Sequence, residues 1–204
     1  MRQIYCSLLI IFILSNCKTE VKTNIEEKKS IKQIENQIIE SVNEFENSII
    51  NSSDNNSQKF KDYLSPNYIK YFCEQTNIKE KNIDETLDKI YLLTASIYND
   101  FRKKDVQITS EVIGIKERII EGDTLIFLIQ NDIILTSQKK KKKLVSTDFI
   151  LAISTNYGDK WFLYQPNIND FVSLLKNEVG ANLAEKTIQK TLKYKPKEVI
   201  SSLN

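Results

Sequence analysis

The hydrophobic pattern changes its period at Val106, and this change constrains the fold more than any other feature of the sequence. Before Val106, apolar residues recur every three or four positions, as they do on one face of an α-helix. After it, apolar and polar residues alternate, as they do along a half-buried β-strand. A block of helices followed by a block of strands predicts an α+β protein.

Three helical segments are predicted before Val106. The first carries Ile31, Ile34, Ile38, Val42, Phe45 and Ile49 on one face and ends in the Asn- and Ser-rich run 51–57. Its steps follow a period of 3.6 better than the 3.5 of a coiled coil, which is the alternative. A short helical turn ends before Pro66, and an apolar-rich segment begins at Tyr68. The last helix begins at Asn82, with Glu85 placed for a capping box, and its predicted face is Ile83, Leu87, Ile90, Thr94, Ile97 and Phe101.

Four strands are predicted between Val106 and Gln165. The first changes phase at Gly114, which indicates a β-bulge, and the second is apolar at every position of Leu125–Ile129, which indicates a central strand covered on both faces. The third presents Phe149, Leu151 and Ile153 on one face, and the fourth begins at Trp161. Short connections favour an antiparallel meander.

Two amphipathic helices are predicted after Pro166, the first capped by Asn169 and the second ending near Leu192. The expected architecture is therefore N-terminal helices, a four-stranded antiparallel meander, and C-terminal helices packed on one curved sheet. We assign 31–195 to a single globular domain and 196–204 to a C-terminal tail.

The N-terminus has the pattern of a secretory signal. Arg2 precedes the apolar stretch Ile4–Leu14, which matches the roughly 7–15 apolar residues of a signal peptide and is shorter than a membrane-spanning helix. The run Leu14-Ser15-Asn16-Cys17 resembles the lipobox of bacterial lipoproteins, with Asn16 in place of the usual Gly, Ala or Ser. An ordinary secreted protein with a cysteine near its cleavage site is the alternative.

The lipobox resemblance implies cleavage after a signal peptide of residues 1–16 and acylation of Cys17, by palmitate or similar chains. The acyl chains would anchor the protein at a membrane of the bacterial cell envelope. Lys18, in the place where aspartate causes retention in the inner membrane, favours the outer membrane. The polar segment 17–30 is then a lipidated tether.

Two further segments resemble a known fold. Leu64-Ser65-Pro66-Asn67-Tyr68, after an opening helix, and Gly158-Asp159-Lys160-Trp161-Phe162, on a late hairpin, resemble the cone-shaped nuclear-transport-factor-like fold and its cystatin-like relatives. The chain departs from the usual order of that fold because its strands all follow the early helices.

The composition argues against most catalytic chemistry. Histidine is absent, so Ser-His and Cys-His nucleophiles and His-ligated zinc are excluded. The four glycines are too scattered to form a phosphate-binding loop, and a net charge of +2 gives no indication of nucleic-acid binding. Cys73 lies in an apolar neighbourhood and is expected to pack in the core. We therefore expect no enzyme activity, no catalytic residue, no cofactor and no metal.

Carboxylate pairs are the remaining candidates for acid–base chemistry. Asp84 and Asp88 are four residues apart on a helix, and Glu121 and Asp123 flank a turn. Exposed surface charge explains both pairs, so a carboxylate-based hydrolase is the least favoured function.

Two non-catalytic functions remain. An interaction or scaffold module for an envelope protein is favoured, because no polar residue stands out as a ligand-orienting group. The alternative is a module that binds a small apolar ligand between the sheet and the helices. Candidate lining residues for that pocket, which could equally pack in the core, are Tyr68, Phe72, Tyr91, Phe149, Trp161 and Tyr164.

A run of five lysines is the most prominent polar feature, and it comprises Lys139, Lys140, Lys141, Lys142 and Lys143. We expect it to be a solvated hairpin tip that discourages strand-edge aggregation. Contact with anionic membrane head groups is the alternative function.

Overall fold

The computed structural model describes residues 29–51, 57–76, 82–166 and 171–203. The signal peptide, the lipobox with Cys17, most of the tether and the predicted cap Asn169 lie outside these ranges. No helix within them is long and apolar enough to cross a membrane.

The α+β class is confirmed, and the elements follow the predicted order. Within the described ranges, four helices precede the strands: α1 (Ile31–Ile50), α2 (Ser57–Asp62), α3 (Pro66–Thr76) and α4 (Ile83–Lys103). Four strands follow: β1 (Val106–Glu121), β2 (Thr124–Ser137), β3 (Lys142–Ser154) and β4 (Phe162–Tyr164). The chain ends with α5 (Phe171–Val179), α6 (Ala181–Thr191) and β5 (Lys197–Ser202).

The sheet separates two layers of apolar side chains. On one face, Ile34, Ile38 and Val42 of α1 pack against alternate residues of β2 and β3. On the other face, Leu175 of α5 and Leu183 of α6 pack against the intervening residues of the same strands. Leu125–Ile129 of β2 is buried throughout, so the prediction of a central strand covered on both faces is confirmed. This covering explains why that segment shows no alternation.

The meander order β1-β2-β3-β4 is confirmed, with all pairs antiparallel. The predicted bulge occurs at Gly114, where the register between β1 and β2 shifts and φ is +143°. A second shift follows between Ile115 and Glu117. An extra residue on one strand breaks the pairing locally and increases the twist of the sheet.

A fifth strand forms within the segment that we assigned to the tail. Residues of β5 pair antiparallel with the first half of β3, from Lys142 opposite Ser202 to Thr147 opposite Lys197. Every residue of β5 is exposed, so no burial pattern marks this strand in the sequence. Its pairing with a segment fifty to sixty residues away along the chain decides its structure.

The predicted details of α4 are wrong in two respects. The Asn82 side chain makes no capping hydrogen bond, so the capping box does not form. The buried face consists of Leu87, Tyr91 and Ala95, whereas Ile97 is 53% exposed. This face packs toward α1 and α2, where Tyr91 lies against Phe60 and its hydroxyl donates a hydrogen bond of 2.8 Å to the buried Ser48 carbonyl oxygen.

Candidate functional site

The six aromatic residues predicted to line one pocket are divided between different parts of the domain. Trp161 is buried against Phe127 on the α1 face of the sheet, with ring centroids 5.5 Å apart. Phe149 and Tyr164 lie in the core on the opposite face. Tyr91 packs against Phe60, 5.9 Å away, and Phe72 is half-buried in α3. Of the six, only Tyr68 contacts the cavity described next.

A cavity of about 250 Å³ lies between α1, α2, α3, α4 and the sheet, and we call it the Glu46 cavity. Its apolar wall includes two phenylalanines, Phe45 and Phe60, whose stacked rings are 5.6 Å apart. Its polar lining residues are Glu46, Tyr68, Thr94, Tyr98, Asn131, Asp148 and Gln165.

Glu46 is the most unusual residue of this lining. It lies on the apolar face of α1, four residues after Val42 and three before Ile49, and only 5% of it is exposed. No hydrogen bond to its carboxyl group is found among the described residues. Burial, assisted by repulsion from Asp148, raises the pKa of Glu46 to about 7. The fold thus holds an ionisable group without a partner where an apolar side chain would be more stable.

Asp148 and Asn131 are polar residues that interrupt the inward-facing apolar rows of β3 and β2. On β2, the row Leu125, Phe127 and Ile129 continues with Asn131, and on β3 the row from Ala152 through Ile150 continues with Asp148. Asn131 and Asp148 are direct cross-strand partners. Asn131 and Asp148 therefore place a polar pair on the α1 face of the sheet, beyond which β2 continues with the apolar Ile133.

Both polar partners are held in place by the sheet. The Ser110 hydroxyl of β1 donates a hydrogen bond of 2.9 Å to Asn131 Oδ1. The backbone N–H of Phe149 donates one of 2.8 Å to Asp148 Oδ1. Further acceptor capacity remains on the Asp148 carboxylate, which has a second oxygen.

Asp148 also lies at an interruption in the strand pairing of β3. On the edge of β3 away from β2, β4 pairs with Leu151–Ile153, and β5 pairs with Lys142–Thr147. Residues 148–150 have no strand partner on that edge within the described part of the chain. Asp148 accordingly lines the Glu46 cavity and also a smaller cavity of about 100 Å³ that includes Phe149 and Tyr194.

Two phenols complete the polar lining. Tyr98 of α4 has a raised pKa, first because it is buried and then because Glu46 and Asp148 repel its phenolate form. Burial likewise raises the pKa of Tyr68. Both phenols therefore stay neutral and can donate hydrogen bonds into the cavity.

Three of the four carboxylates selected from the sequence form ion pairs with lysines. Lys61 of α2 lies 2.8 Å from Asp88 and 3.8 Å from Asp84. Glu121 lies 3.5 Å from Lys186. No cluster of three or more metal-ligating side chains occurs among the described residues.

Cys73 and the run of five lysines are the other two features selected from the sequence. Cys73 is buried in α3, as predicted, with 6% of its surface exposed. Lys139–Lys141 form the exposed turn between β2 and β3, whereas Lys142 and Lys143 begin β3 and pair with β5. The five lysines therefore do not form a single loop.

The sequence analysis missed Glu46, Asp148 and Asn131, although a signal for each exists. Glu46 occupies a position of the α1 face that the series of Ile and Val residues already defined. Asp148 and Asn131 stand where the strand alternation calls for inward-facing side chains. The available signal was a polar residue at an apolar position of the pattern. That signal does not show that Asn131 and Asp148 are neighbours, which follows only from the pairing of β2 with β3.

Comparison with known proteins adds no further assignment, since no protein-family profile, curated protein or solved structure matches this chain. What the fold and the site define is an α+β domain with a cavity between its helices and one face of its sheet.

Proposed function

We propose that this protein is a non-catalytic, lipid-anchored binding module of a bacterial cell envelope that holds a small ligand in the Glu46 cavity. The observation that carries the proposal is the cavity of about 250 Å³ lined by the buried, unpartnered Glu46. A closed apolar cavity of about 150 Å³ is enough to bind benzene. This volume therefore fits a single ring or a short alkyl chain that carries one polar group.

The cavity changes the preference between the two functions considered from the sequence. The scaffold function was favoured because no polar residue stood out as a ligand-orienting group. Glu46, Asn131 and Asp148 are such groups, because all three line the same cavity together with aromatic and aliphatic side chains. Binding sites combine an apolar lining with a few convergent polar groups in this way.

Ligand binding can be tested with phenethyl alcohol, which has one ring and one hydroxyl group. Isothermal titration calorimetry of the full chain in detergent, against a detergent blank, should detect binding. Thr94→Phe places a ring in the cavity and should abolish it, whereas Ser96→Phe, on an exposed position of the same helix, should not. Equal binding by both variants would contradict the proposal.

The proposed anchor rests on the resemblance of Leu14–Cys17 to a lipobox. Replacing Cys17 with serine removes the thiol that would be acylated. We expect the variant to lose metabolic labelling with a fatty acid and to leave the membrane fraction. Unchanged labelling of the variant would exclude Cys17 as the lipidation site.

An interaction module remains the second candidate, favoured by an apolar stripe on α4. Leu93, Ile97 and Phe101 recur every four residues and are exposed, with Leu93 69% exposed. A second copy of the chain is the first occupant to test, since a two-fold contact needs only one such surface. Analytical ultracentrifugation should then show a dimer for the wild-type chain and a monomer for the Leu93→Glu variant. A wild-type chain that is monomeric at all concentrations would exclude a second copy as the partner of this stripe.

A further inference from the structure

The charged groups of the Glu46 cavity are all acidic among the described residues that line it. Glu46 and Asp148 contribute carboxyl groups, Tyr68 and Tyr98 contribute phenols, and no lysine or arginine is present in this lining. An anionic ligand would meet two carboxyl groups without a compensating positive charge. The lining therefore selects against organic acids.

Two cations on the neighbouring elements are paired with carboxylates outside the cavity. Lys61 of α2 forms its closest ion pair with Asp88, and Arg118 of β1 forms an ion pair with Glu35. Neither basic group lines the cavity. The negative charge at this site is thus available to a ligand.

The walls around the carboxyl groups are aromatic. Phe45, Phe60, Tyr68 and Tyr98 contribute four rings to the same small space. Aromatic faces attract cations, and the attraction increases when the cation is removed from water. A protonated amine also has up to three N–H donors, which suits two carboxyl groups and a phenol oxygen.

On this basis we infer that the ligand of the Glu46 cavity is a small organic amine that binds as its cation, with its ammonium group paired to Glu46 and Asp148 and its apolar body against the aromatic wall. This inference rests on the proposed function and specifies its ligand class. Ion pairing of a buried carboxylate with a cation satisfies the group that the folded chain alone leaves unpartnered.

The inference includes a proton balance. Burial raises the pKa of Glu46 to about 7, so this carboxyl group is mostly protonated at pH 6, and an arriving cation favours its ionised form. Each bound amine therefore displaces a proton from Glu46 to the solvent. The other titratable groups facing the cavity, from α3, α4 and β3, are Tyr68, Tyr98 and Asp148, while α2 and β2 contribute none. The two phenols remain neutral through this change because their pKa values are raised.

Three probes with the same phenyl body and different head groups separate the alternatives: phenethylamine, phenethyl alcohol and phenylacetate. Calorimetry with the full chain should give an affinity for the amine at least about tenfold higher than for the alcohol, as expected for a hydrogen-bonded pair of charges. Phenylacetate should bind least. In buffers of different ionisation enthalpy, amine binding near pH 6 should release close to one proton.

Variants assign the effect to its residues. Glu46→Gln and Asp148→Asn should each reduce amine affinity about tenfold or more while leaving the affinity for the alcohol nearly unchanged. Glu40→Gln makes the same chemical change at an exposed position of α1 and should alter neither affinity. Thermal unfolding of each variant confirms that it is folded.

The outcomes distinguish this inference from the function on which it rests. Equal affinities for amine and alcohol, both lost in Thr94→Phe, would overturn the amine inference and leave the binding function standing. The tightest binding by phenylacetate would overturn it as well. Failure of all three probes to bind would count against the binding function itself.

Discussion

Replacing Glu46 with glutamine should remove a large part of the pH dependence of the domain's stability. Burial and repulsion by Asp148 raise the pKa of Glu46 from 4.5 to about 7 in the folded chain. The folded state therefore holds this proton more tightly than the unfolded state does. At about 1.4 kcal/mol per pH unit, the interval between the two values corresponds to about 3 kcal/mol of unfolding free energy.

The sign of the effect follows from proton binding. Below pH 4.5, Glu46 is protonated in both states and costs no ionisation energy. As the pH rises from 4.5 to about 7, the unfolded chain releases the proton first, so the stability of the wild-type protein falls. Above about 7 the full cost is present, because a charge is then buried in the folded state. Glutamine does not titrate and avoids this loss.

Urea unfolding followed by circular dichroism, repeated from acidic to alkaline pH, measures the difference between the variant and the wild-type protein. We expect this difference to grow in favour of Glu46→Gln by about 3 kcal/mol across the window. For a domain of this size that is a shift of roughly 6–12 °C in Tm. Glu40→Gln serves as the exposed control on the same helix. A difference between Glu46→Gln and the wild type that is independent of pH would refute the reasoning from burial.

Three further predictions concern the framework and the surface of the domain. Tyr91→Phe removes the hydrogen bond of 2.8 Å to the buried Ser48 carbonyl, and urea unfolding should show a loss of about 1–3 kcal/mol. Gly158→Ala should destabilise the domain more than Gly122→Ala. Both glycines have a positive φ, but a Cβ added at Gly158 would lie 3.3 Å from an α1 side chain, whereas one added at Gly122 would meet open space. Equal losses in these two variants would contradict the packing argument. Replacing Lys139–Lys141 with glutamine should leave Tm unchanged and weaken flotation with anionic vesicles at low salt, and unaltered flotation would exclude a contact between this turn and lipid.

The helix α1 could be predicted because it repeats a single period over many residues, and the sheet because its strands show alternation or a uniformly apolar run. The face of α1 from Ile34 to Ile49 is buried as predicted, and so is the uniformly apolar segment of β2. A long periodic segment predicts its buried face well, because each further residue that matches one period makes a different period harder to fit. The bulge at Gly114 was visible for the same reason, as a break in an otherwise regular alternation.

The buried face of α4 was not predictable in this way. Apolar residues surround much of this helix, including Leu92, Leu93 and Ile97, which are all exposed. The choice of Leu87 and Tyr91 as the buried residues depends on the position of α1, where Ser48 accepts the tyrosine hydrogen bond. Strand β5 was missed for a related reason. Its structure depends on pairing with β3 and not on the pattern of its own side chains.

The same dependence on tertiary contacts explains why the site residues were overlooked. A glutamate within an amphipathic helix and an aspartate within a strand are each ordinary surface residues when read alone. Their positions in the hydrophobic pattern mark them as inward-facing, but only the packing of α1 on the sheet brings them to the same cavity. The cavity therefore lies where Asn131 and Asp148 interrupt the apolar rows beneath α1.

A site built in this way costs stability, and this cost provides the last test of its function. Glu46→Leu would replace an unpartnered carboxyl group with an apolar side chain and fill part of the cavity. We expect the variant to be more stable than the wild type at every pH, with the largest gain above about pH 7, and to lose amine binding. A chain under no functional constraint would be expected to acquire such a substitution, because it removes a penalty at no structural cost. Should Glu46→Leu instead destabilise the domain at acidic pH, where the carboxyl group is neutral, Glu46 would be a structural residue of α1, and the argument for a ligand would lose its main support.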